Sequence, residues 1–177
     1  MIELRKLRPN DDRSTFQPGD EALDRFFREY AGQNQFRRHL GATYVALDGG
    51  RVLGFATIAP GQIEVEAMPP AMRKGLPLYP IPILRLARLA VDRSSQSRGL
   101  GEQLLCLVCA LASKMAGEYG CAGVVVDAKS EAVGFYARCG FVPFEAIEGQ
   151  AGARPRPATM FLPMRAIQAA TGRFKSV

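Results

Sequence analysis

The chain has 177 residues, of which 47% are hydrophobic and 23% charged, a length typical of one domain and a composition that excludes a disordered protein. It contains no apolar run of about eighteen residues and no apolar N-terminal segment, which predicts a soluble, cytoplasmic protein that does not contact a membrane. Lys and Arg outnumber Asp and Glu by 23 to 17, and Gln150–Val177 contains basic residues but no acidic one. This asymmetry, rather than the excess itself, favours a polyanionic partner.

The first predicted elements are an edge strand and a helix. Residues alternate loosely between apolar and charged over Met1–Arg8, which predicts the strand. Asp20 is a suitable N-cap for a helix over Glu21–Gln33. Four apolar side chains of this helix recur at helical spacing and are predicted to face the core: Leu23, Phe26, Phe27 and Tyr30.

A hairpin and a long connection follow. Thr43–Leu47 and Arg51–Ala59 are predicted strands, joined by the turn Asp48-Gly49-Gly50. Pro60–Pro82 is rich in proline, which removes backbone donors, and is therefore predicted to be an ordered loop with a short helix at Pro70–Lys74.

The stretch Pro82–Met115 organises the chain. Ile83–Val91 is an apolar run broken only by Arg85 and Arg88, which predicts a central strand buried on most of both faces. A polar, glycine-rich turn follows, and then an amphipathic helix whose predicted core face comprises Leu104, Leu105, Val108, Leu111, Ala112 and Met115.

The C-terminal third predicts a shorter series of elements. Ser130 is expected to cap a helix that Gly140 ends, and the tail after Arg165 has no strong pattern. The predicted elements are a strand at Val124–Val126, a helix at Glu131–Cys139, strands at Phe141–Phe144 and Thr159–Met164, and a loop at Glu148–Pro157.

The four cysteines do not form a metal-binding pattern. Cys106 and Cys109 lie inside the helical stripe with no second Cys-x-x-Cys, and the single histidine, His39, is distant in sequence. Cys106, Cys109, Cys121 and Cys139 are therefore predicted to be free thiols, and no metal site is expected.

The turn Gln96–Gly101 predicts a phosphate site. Its glycines allow close backbone approach, and the N-terminus of the following helix offers unpaired N–H groups. The sequence has no Gly-Lys-Ser/Thr ending, which excludes a nucleoside-triphosphatase P-loop. Leu104 stands where a dinucleotide fingerprint needs its third glycine.

A strand is followed by a polar turn with Gln-x-x-Gly-x-Gly, a helix, and then Phe135-Tyr136-Ala-Arg-Cys-Gly140-Phe141. In this order of its motifs the chain resembles the GNAT superfamily of acetyl-CoA-dependent N-acetyltransferases. The resemblance implies a single α/β (α+β) domain over residues 1–165 with a C-terminal tail at 166–177. Its central sheet would be mixed and mostly antiparallel, with helices on both faces, and splayed at the acetyl-CoA site.

The resemblance also implies the site residues. Tyr136 would be the general acid that protonates the departing thiolate, since the ordinary pKa values of phenol and thiol differ by only about 1.5. The strand would bind the pantetheine arm of coenzyme A and the loop its pyrophosphate. These implied cofactor residues are Leu89, Ala90, Val91, Gln96, Ser97, Arg98, Gly99, Leu100, Gly101 and Glu102.

No strong general base is visible. Glu64 and Glu66 are candidates, but each is better explained as a solvated loop charge. A lysine amine near pKa 10.4 needs deprotonation, whereas an α-amino group with a pKa near 7.7–8.0 is substantially neutral at cell pH. This favours a weakly basic amine as the acceptor.

A narrower resemblance extends from Pro18-Gly-Asp-Glu-Ala-Leu23 through Leu53-Gly54-Phe55 to about Arg165. It is to the GNAT toxins of toxin–antitoxin modules, which acetylate the α-amino group of aminoacyl-tRNA. The resemblance implies a ribbon-helix-helix antitoxin and a homodimer. Candidate residues for tRNA phosphates are Arg73, Lys74, Arg85, Arg88 and Arg93, with help from Arg37 and Arg38.

Two other functions remain open at this stage. One is a GNAT enzyme that acetylates a small amine or a protein N-terminus. The other is a non-catalytic module that binds acyl-CoA, which the presence of Tyr136 and the complete Gln96–Gly101 turn disfavours.

Overall fold

A computed structural model describes residues 1–144 and 157–174, with side chains described to Thr171. Most of the predicted loop Glu148–Pro157 lies outside these residues.

The described strands form one seven-stranded sheet in the order β1-β2-β3-β4-β5-β7-β6. The sheet is mixed and mostly antiparallel, which confirms the predicted fold class. The strands are β1 (Glu3–Lys6), β2 (Ala42–Asp48), β3 (Arg51–Ile63), β4 (Ile81–Val91), β5 (Gly123–Ala128), β6 (Val142–Pro143) and β7 (Ala158–Pro163).

The described helices lie in the connections between strands and at the C-terminal end of the described chain. They are α1 (Glu21–Arg25), α2 (Pro70–Arg73), α3 (Leu100–Glu118), α4 (Val133–Arg138) and α5 (Met164–Phe174). Two π-helical segments, Phe26–Tyr30 and Gln33–Arg37, continue α1, and single 3₁₀ turns lie at Val65–Ala67, Arg93–Ser95 and Ser130–Ala132.

The chain divides into two compact units. The first comprises Met1–Ala59 and Leu86–Ala110, and the second comprises Pro60–Arg85 and Leu111–Val177. The assignment of residues 1–165 to a single domain stays a prediction.

An aromatic cluster forms the core of the first unit. Phe27 stacks on Phe55 with ring centroids 4.5 Å apart, and Phe16 meets Phe27 edge-on at 5.0 Å. The predicted cap is confirmed, because the Asp20 carboxylate accepts a hydrogen bond from the Leu23 N–H at 3.1 Å.

The prediction that Tyr30 faces the core is wrong. Its side chain is exposed, whereas Ala31 is buried and its N–H donates to the Phe26 carbonyl, five residues back. Because a π-helical turn closes after five residues rather than four, Ala31 occupies the inward position. The helical stretch also extends past the predicted end at Gln33, to Arg37.

The predicted hairpin between β2 and β3 is confirmed. Gly49 and Gly50 both have positive φ, 56° and 84°, as a two-residue turn of type I′ requires. Further along β3, a Cβ at Gly54 would lie 3.0 Å from Leu104 Cδ1 and 3.1 Å from the Ala90 carbonyl oxygen. Glycine therefore allows α3 to pack directly on the strands here.

The core of the second unit includes Ile63, Ile83, Val125 and Phe161. The prediction of a loop from Pro60 was wrong for its first residues. β3 continues to Ile63, whose buried side chain joins this apolar cluster and favours the extended backbone.

Two further C-terminal predictions were wrong. The tail is helical over α5, where the buried Ile167 fixes it to the core. Ser130 does not cap a helix, because its hydroxyl donates to Glu131 instead. Gly140, with φ of 95°, follows the end of α4 as predicted.

The long helix α3 has one buried face, formed by Leu100, Leu104, Leu105, Val108, Ala112 and Met115. By length and composition alone α3 is also apolar enough to span a membrane, a property that core helices of soluble proteins share. Among the described residues, no other helix meets this criterion.

Candidate active site

The C-terminal half of β4 is open to solvent although β4 lies inside the sheet. Ala87 and Arg88 are exposed, Leu89 and Val91 are half-buried, and Ala90 is buried. A strand inside a sheet is normally buried along its length. The exposed positions on this half of β4 therefore leave space for a ligand beside the strand.

The loop after β4 exposes backbone donors. Ser97 and Gly99 have positive φ, 61° and 77°, and a Cβ at Gly99 would meet no atom within 4 Å. In the described part of the chain, no acceptor pairs with the N–H groups of Gly99, Leu100, Gly101 and Glu102. This arrangement at the N-terminus of α3 fits a pyrophosphate.

Asp92 fixes the start of this loop. It is buried, and its carboxylate accepts hydrogen bonds from the Gln17 N–H at 2.9 Å, the Ser94 N–H at 3.0 Å and the Ser94 hydroxyl at 2.6 Å. Burial alone would raise the pKa of Asp92, but these hydrogen bonds outweigh burial and lower it. A charged Asp92 thus holds the loop against the N-terminal segment.

The side chain of Gln96 has an internal role. Its amide donates to the carbonyls of Pro18 and Val91, both at 3.0 Å. Gln96 can therefore contribute to phosphate binding only through its backbone, while the exposed Arg98 has its guanidinium available. The predicted turn is shorter than expected, because α3 begins at Leu100 and includes Gly101.

Arg88 lies flat against an aromatic ring. Its guanidinium carbon is 3.7 Å from the centroid of Phe26. Among the described residues it has no hydrogen-bond acceptor and no acidic partner, and desolvation lowers the pKa of Arg88. The ring thus orients a cation whose N–H groups are free for a ligand.

Arg88 and Phe26 line two pockets of the first unit. One is an open cleft of about 600 Å³ that also includes Arg25 and Tyr30. The other is a small cavity of about 70 Å³, whose wall includes Ala59 and Ala87.

In the second unit, Tyr136 is buried on α4 among aromatic rings. The centroids of Phe135 and Phe141 lie 5.1 and 5.3 Å away, both edge-on. No described residue hydrogen-bonds its hydroxyl. Burial, followed by the charge of a Cys139 thiolate, raises the pKa of Tyr136 to about 12. The hydroxyl therefore stays protonated at neutral pH.

The predicted tRNA-binding cations differ in their surroundings. Arg85 pairs with Asp127 at 3.0 Å, and Arg73 donates to the Met68 carbonyl at 2.7 Å. Lys74 is exposed without such a contact among the described residues, and the Arg93 guanidinium packs against Gly19. Arg37 and Arg38 are also exposed.

Glu64 precedes the 3₁₀ turn Val65–Ala67 of the second unit, Glu66 lies within it, and both are exposed. Neither carboxylate has a hydrogen-bond or ion-pair partner among the described residues. This supports their interpretation as solvated loop charges.

Asp92 and Phe26 belong to the site but were not predicted to. Asp92 follows the strand directly and precedes Ser94, a spacing typical of a carboxylate that accepts from the backbone two residues later. Phe26 carried no such signal. Its helical spacing is the same whether the ring only packs in the core or also supports Arg88.

The family of the chain follows from comparison with known proteins. A model of the acetyltransferase (GNAT) domain matches residues 39–143. The chain belongs to the GNAT acetyltransferases. It is 33% identical over 138 residues to a tRNA-acetylating toxin of Mycobacterium tuberculosis, covering 77% of this chain and 82% of that protein.

Two solved structures are closely similar to this GNAT acetyltransferase. AtaT complexed with acetyl-methionyl-tRNAfMet has a TM-score of 0.86 and 25% identity, covering 97% of this chain and 99% of that chain. AtaTR bound with AcCoA has a TM-score of 0.79 and 26% identity, covering 96% and 98% respectively. The protein is an acetyltransferase whose cofactor is acetyl-CoA.

Proposed function

We propose that this GNAT acetyltransferase transfers the acetyl group of acetyl-CoA to the α-amino group of aminoacyl-tRNA and thereby blocks translation. The observation that carries the proposal is its relation to the tRNA-acetylating toxin over 77% of the chain. Arg88 lines two pockets of the first unit and has no acidic partner among the described residues, which supports a polyanionic substrate.

Acetyl-CoA supplies the acetyl group as a thioester. The backbone N–H groups of residues 99–102 and the Arg98 guanidinium would hold its phosphates, and the backbone of Leu89–Val91 would pair with its pantetheine arm. The accessible strand and the unpaired N–H groups fit this ligand. Asp92 keeps the loop in place for binding.

Tyr136 is the proposed hydrogen-bond donor to the thioester sulfur. As the amine nitrogen bonds to the carbonyl carbon, the carbon–sulfur bond breaks and charge develops on sulfur. The Tyr136 pKa of about 12 lies well above that of a thiol, about 8.5. Its hydroxyl therefore stabilises the thiolate mainly by donating a hydrogen bond, and less by complete proton transfer.

The amine needs little help to lose its proton. An ordinary α-amino group has a pKa of about 7.7–8.0, so much of it is already neutral near pH 7.5. The exposure of Glu64 and Glu66 agrees with a reaction in which water accepts the proton.

The basic residues divide by availability. Arg88, Arg93 and Lys74 are the proposed contacts to tRNA phosphates, with Arg37 and Arg38 as peripheral contributors. Arg73 and Arg85 would first have to give up internal partners, so their contribution is expected to be smaller.

The remaining proposals concern partners and location. A toxin of this kind requires an antitoxin, and we propose one of the ribbon-helix-helix type encoded by an adjacent gene. We also propose that the enzyme is a homodimer in the cytoplasm, where charged tRNA occurs. Co-purification with the product of the adjacent gene tests the antitoxin. Light scattering of the purified enzyme alone tests the homodimer.

The decisive experiment incubates the enzyme with labelled acetyl-CoA and total charged tRNA, with uncharged tRNA as a control. We expect label on charged tRNA only. The variant Tyr136→Phe should lower the rate at least about 100-fold, whereas Tyr119→Phe, at a tyrosine that is 72% exposed, should not. Label on small amines or protein N-termini but on no charged tRNA would overturn the proposal.

A further inference from the structure

We infer that the small cavity between Phe26, Ala59 and Ala87 receives the side chain of the amino acid carried by tRNA. It admits only uncharged side chains of up to about three heavy atoms beyond Cα, as a comparison of cavity volumes indicates. This inference rests on the proposed function and specifies its substrate.

The position of the cavity on β4 places it next to the reaction. If phosphates bind at the loop after Val91 and the pantetheine arm follows Leu89–Val91 backwards, the thioester comes next along the strand. Residues rise by about 3.3 Å each in a strand, so Ala87 lies roughly 7 Å beyond Leu89. Ala87 and Arg88 line the cavity, which therefore opens where the amino acid must stand.

The volume limits the size of the side chain. The cavity measures about 70 Å³. An engineered apolar cavity of about 150 Å³ holds benzene, with its six carbon atoms. By proportion, this cavity accommodates about three heavy atoms, which includes glycine, alanine, serine, cysteine, threonine and valine and excludes methionine, phenylalanine and aspartate.

The wall of the cavity disfavours charge. The Gln35 side chain donates to the Leu7 carbonyl at 3.0 Å and accepts from the Thr43 N–H at 2.7 Å. The hydroxyls of Thr43 and Thr57 bond each other at 2.8 Å. These three polar side chains are already paired, so they would not compensate a buried cationic side chain. An anionic side chain could pair with Arg88, but aspartate, the shortest, already exceeds the size limit.

Arg88 adds a second barrier to cationic side chains. Its guanidinium also borders the cavity and has no acidic partner among the described residues. A lysyl or arginyl side chain would meet a like charge in a partly desolvated place. Short neutral side chains avoid both the size limit and this repulsion.

The test uses one tRNA, chemically charged in turn with alanine, serine, valine, methionine, phenylalanine or lysine, so that the nucleic acid stays constant. We expect kcat/KM for the alanyl, seryl and valyl forms to exceed that for the other three by at least about 10-fold, the discrimination typical of one excess methylene. Acetyl-CoA saturates the enzyme throughout.

Two variants then change the cavity in opposite directions. Leu40 lines it but is 61% exposed, so Leu40→Ala should fold normally and raise the ratio of methionyl to alanyl acetylation. Ala59→Val fills part of the cavity and should lower the ratio of valyl to alanyl acetylation. Leu78→Ala, at an 86% exposed leucine outside the cavity, is the matched control.

Each outcome has a distinct meaning. Equal rates for alanyl, methionyl and phenylalanyl tRNA, or unchanged ratios in both cavity variants, would overturn the size limit while leaving tRNA acetylation intact. A complete lack of label on every charged tRNA would overturn the proposed function as well.

Discussion

Arg85 and Arg88 lie three residues apart on β4 and therefore point to opposite faces of the strand. The sequence predicted one role for both, but Arg85 pairs with Asp127 at 3.0 Å, whereas Arg88 rests on Phe26 and has no acidic partner within residues 1–144 and 157–171. A cation that already has a carboxylate is part of the scaffold. A cation supported only by a ring remains available to a substrate.

The same contrast separates Asp92 from Tyr136. Both are buried, but the Asp92 carboxylate accepts hydrogen bonds from Gln17, Ser94 and Arg51, which lower its pKa. No described residue hydrogen-bonds the Tyr136 hydroxyl, and burial raises its pKa. A polar group with hydrogen-bond partners in the protein, such as Asp92, stabilises the loop. A polar group without such partners, such as the Tyr136 hydroxyl, is a candidate for contact with a reactant. The following predictions test this distinction.

Among substitutions that test this distinction between the cations, the largest effect is expected from Arg88→Gln. Loss of a charge-assisted hydrogen bond of about 1.5–3 kcal/mol should lower kcat/KM for charged tRNA by up to about 100-fold, with the affinity for acetyl-CoA unchanged. Arg85→Gln is the matched control and should cost less than about 3-fold, as an exposed ion pair suggests. Equal losses in steady-state assays would refute the distinction.

Alkaline pH should destabilise the protein through Tyr136. Because its pKa is raised from about 10 in the unfolded chain to about 12 in the fold, its contribution to stability is complete below pH 10 and is lost as pH rises towards 12. At pH 11 the loss is about 1.4 kcal/mol. Between pH 9 and pH 11, the free energy of unfolding in urea should fall more in the wild type than in Tyr136→Phe. An equal fall in both proteins would contradict this prediction.

The support of Arg88 by Phe26 should matter less. Phe26→Leu removes a cation–π contact of about 1 kcal/mol, so kcat/KM for charged tRNA should fall about 5-fold. Phe27→Leu, which changes a buried ring stacked on Phe55, should lower the free energy of unfolding without a comparable loss of activity. If both variants lose activity in proportion to stability, Phe26 is only a core residue.

The smallest effect is expected from Asp127→Asn. The pair with Arg85 is partly exposed and contributes less than about 1 kcal/mol. The Thr159 hydroxyl keeps a partner at position 127, since an amide oxygen also accepts. Release of Arg85 should tighten tRNA binding about twofold at low salt and make it more salt-dependent, as filter binding can measure. Weaker binding would show that the pair orients Arg85 for tRNA.

Local patterns predicted most of the fold. The Asp48-Gly49-Gly50 turn indicated the hairpin of β2 and β3, and apolar spacing indicated the buried face of α3. What failed was the end of β3 at Ile63, because its strand conformation depends on a tertiary cluster rather than on the prolines and glycine nearby. The helix α5 was missed because, of its residues up to Thr171, Ile167 alone is buried and so gives the sequence no apolar periodicity.

The site was predictable in its cofactor half and less so elsewhere. The glycine loop carries its chemistry in consecutive residues, so its location follows from sequence. The partners of Arg85 and Asp92 lie 42 and 75 residues away, and only the sheet register brings such pairs together. Paired and bare cations are therefore indistinguishable in the sequence.

The attachment of Asp92 to residue 17 has a consequence for sequence variation. The carboxylate accepts from the main-chain N–H of Gln17, and the carbonyl of the same residue accepts from the Arg93 N–H at 2.9 Å. Since the exposed Gln17 side chain makes neither bond, nineteen amino acids can preserve the cofactor loop. Proline alone, which has no N–H, is expected to be selected against at this position.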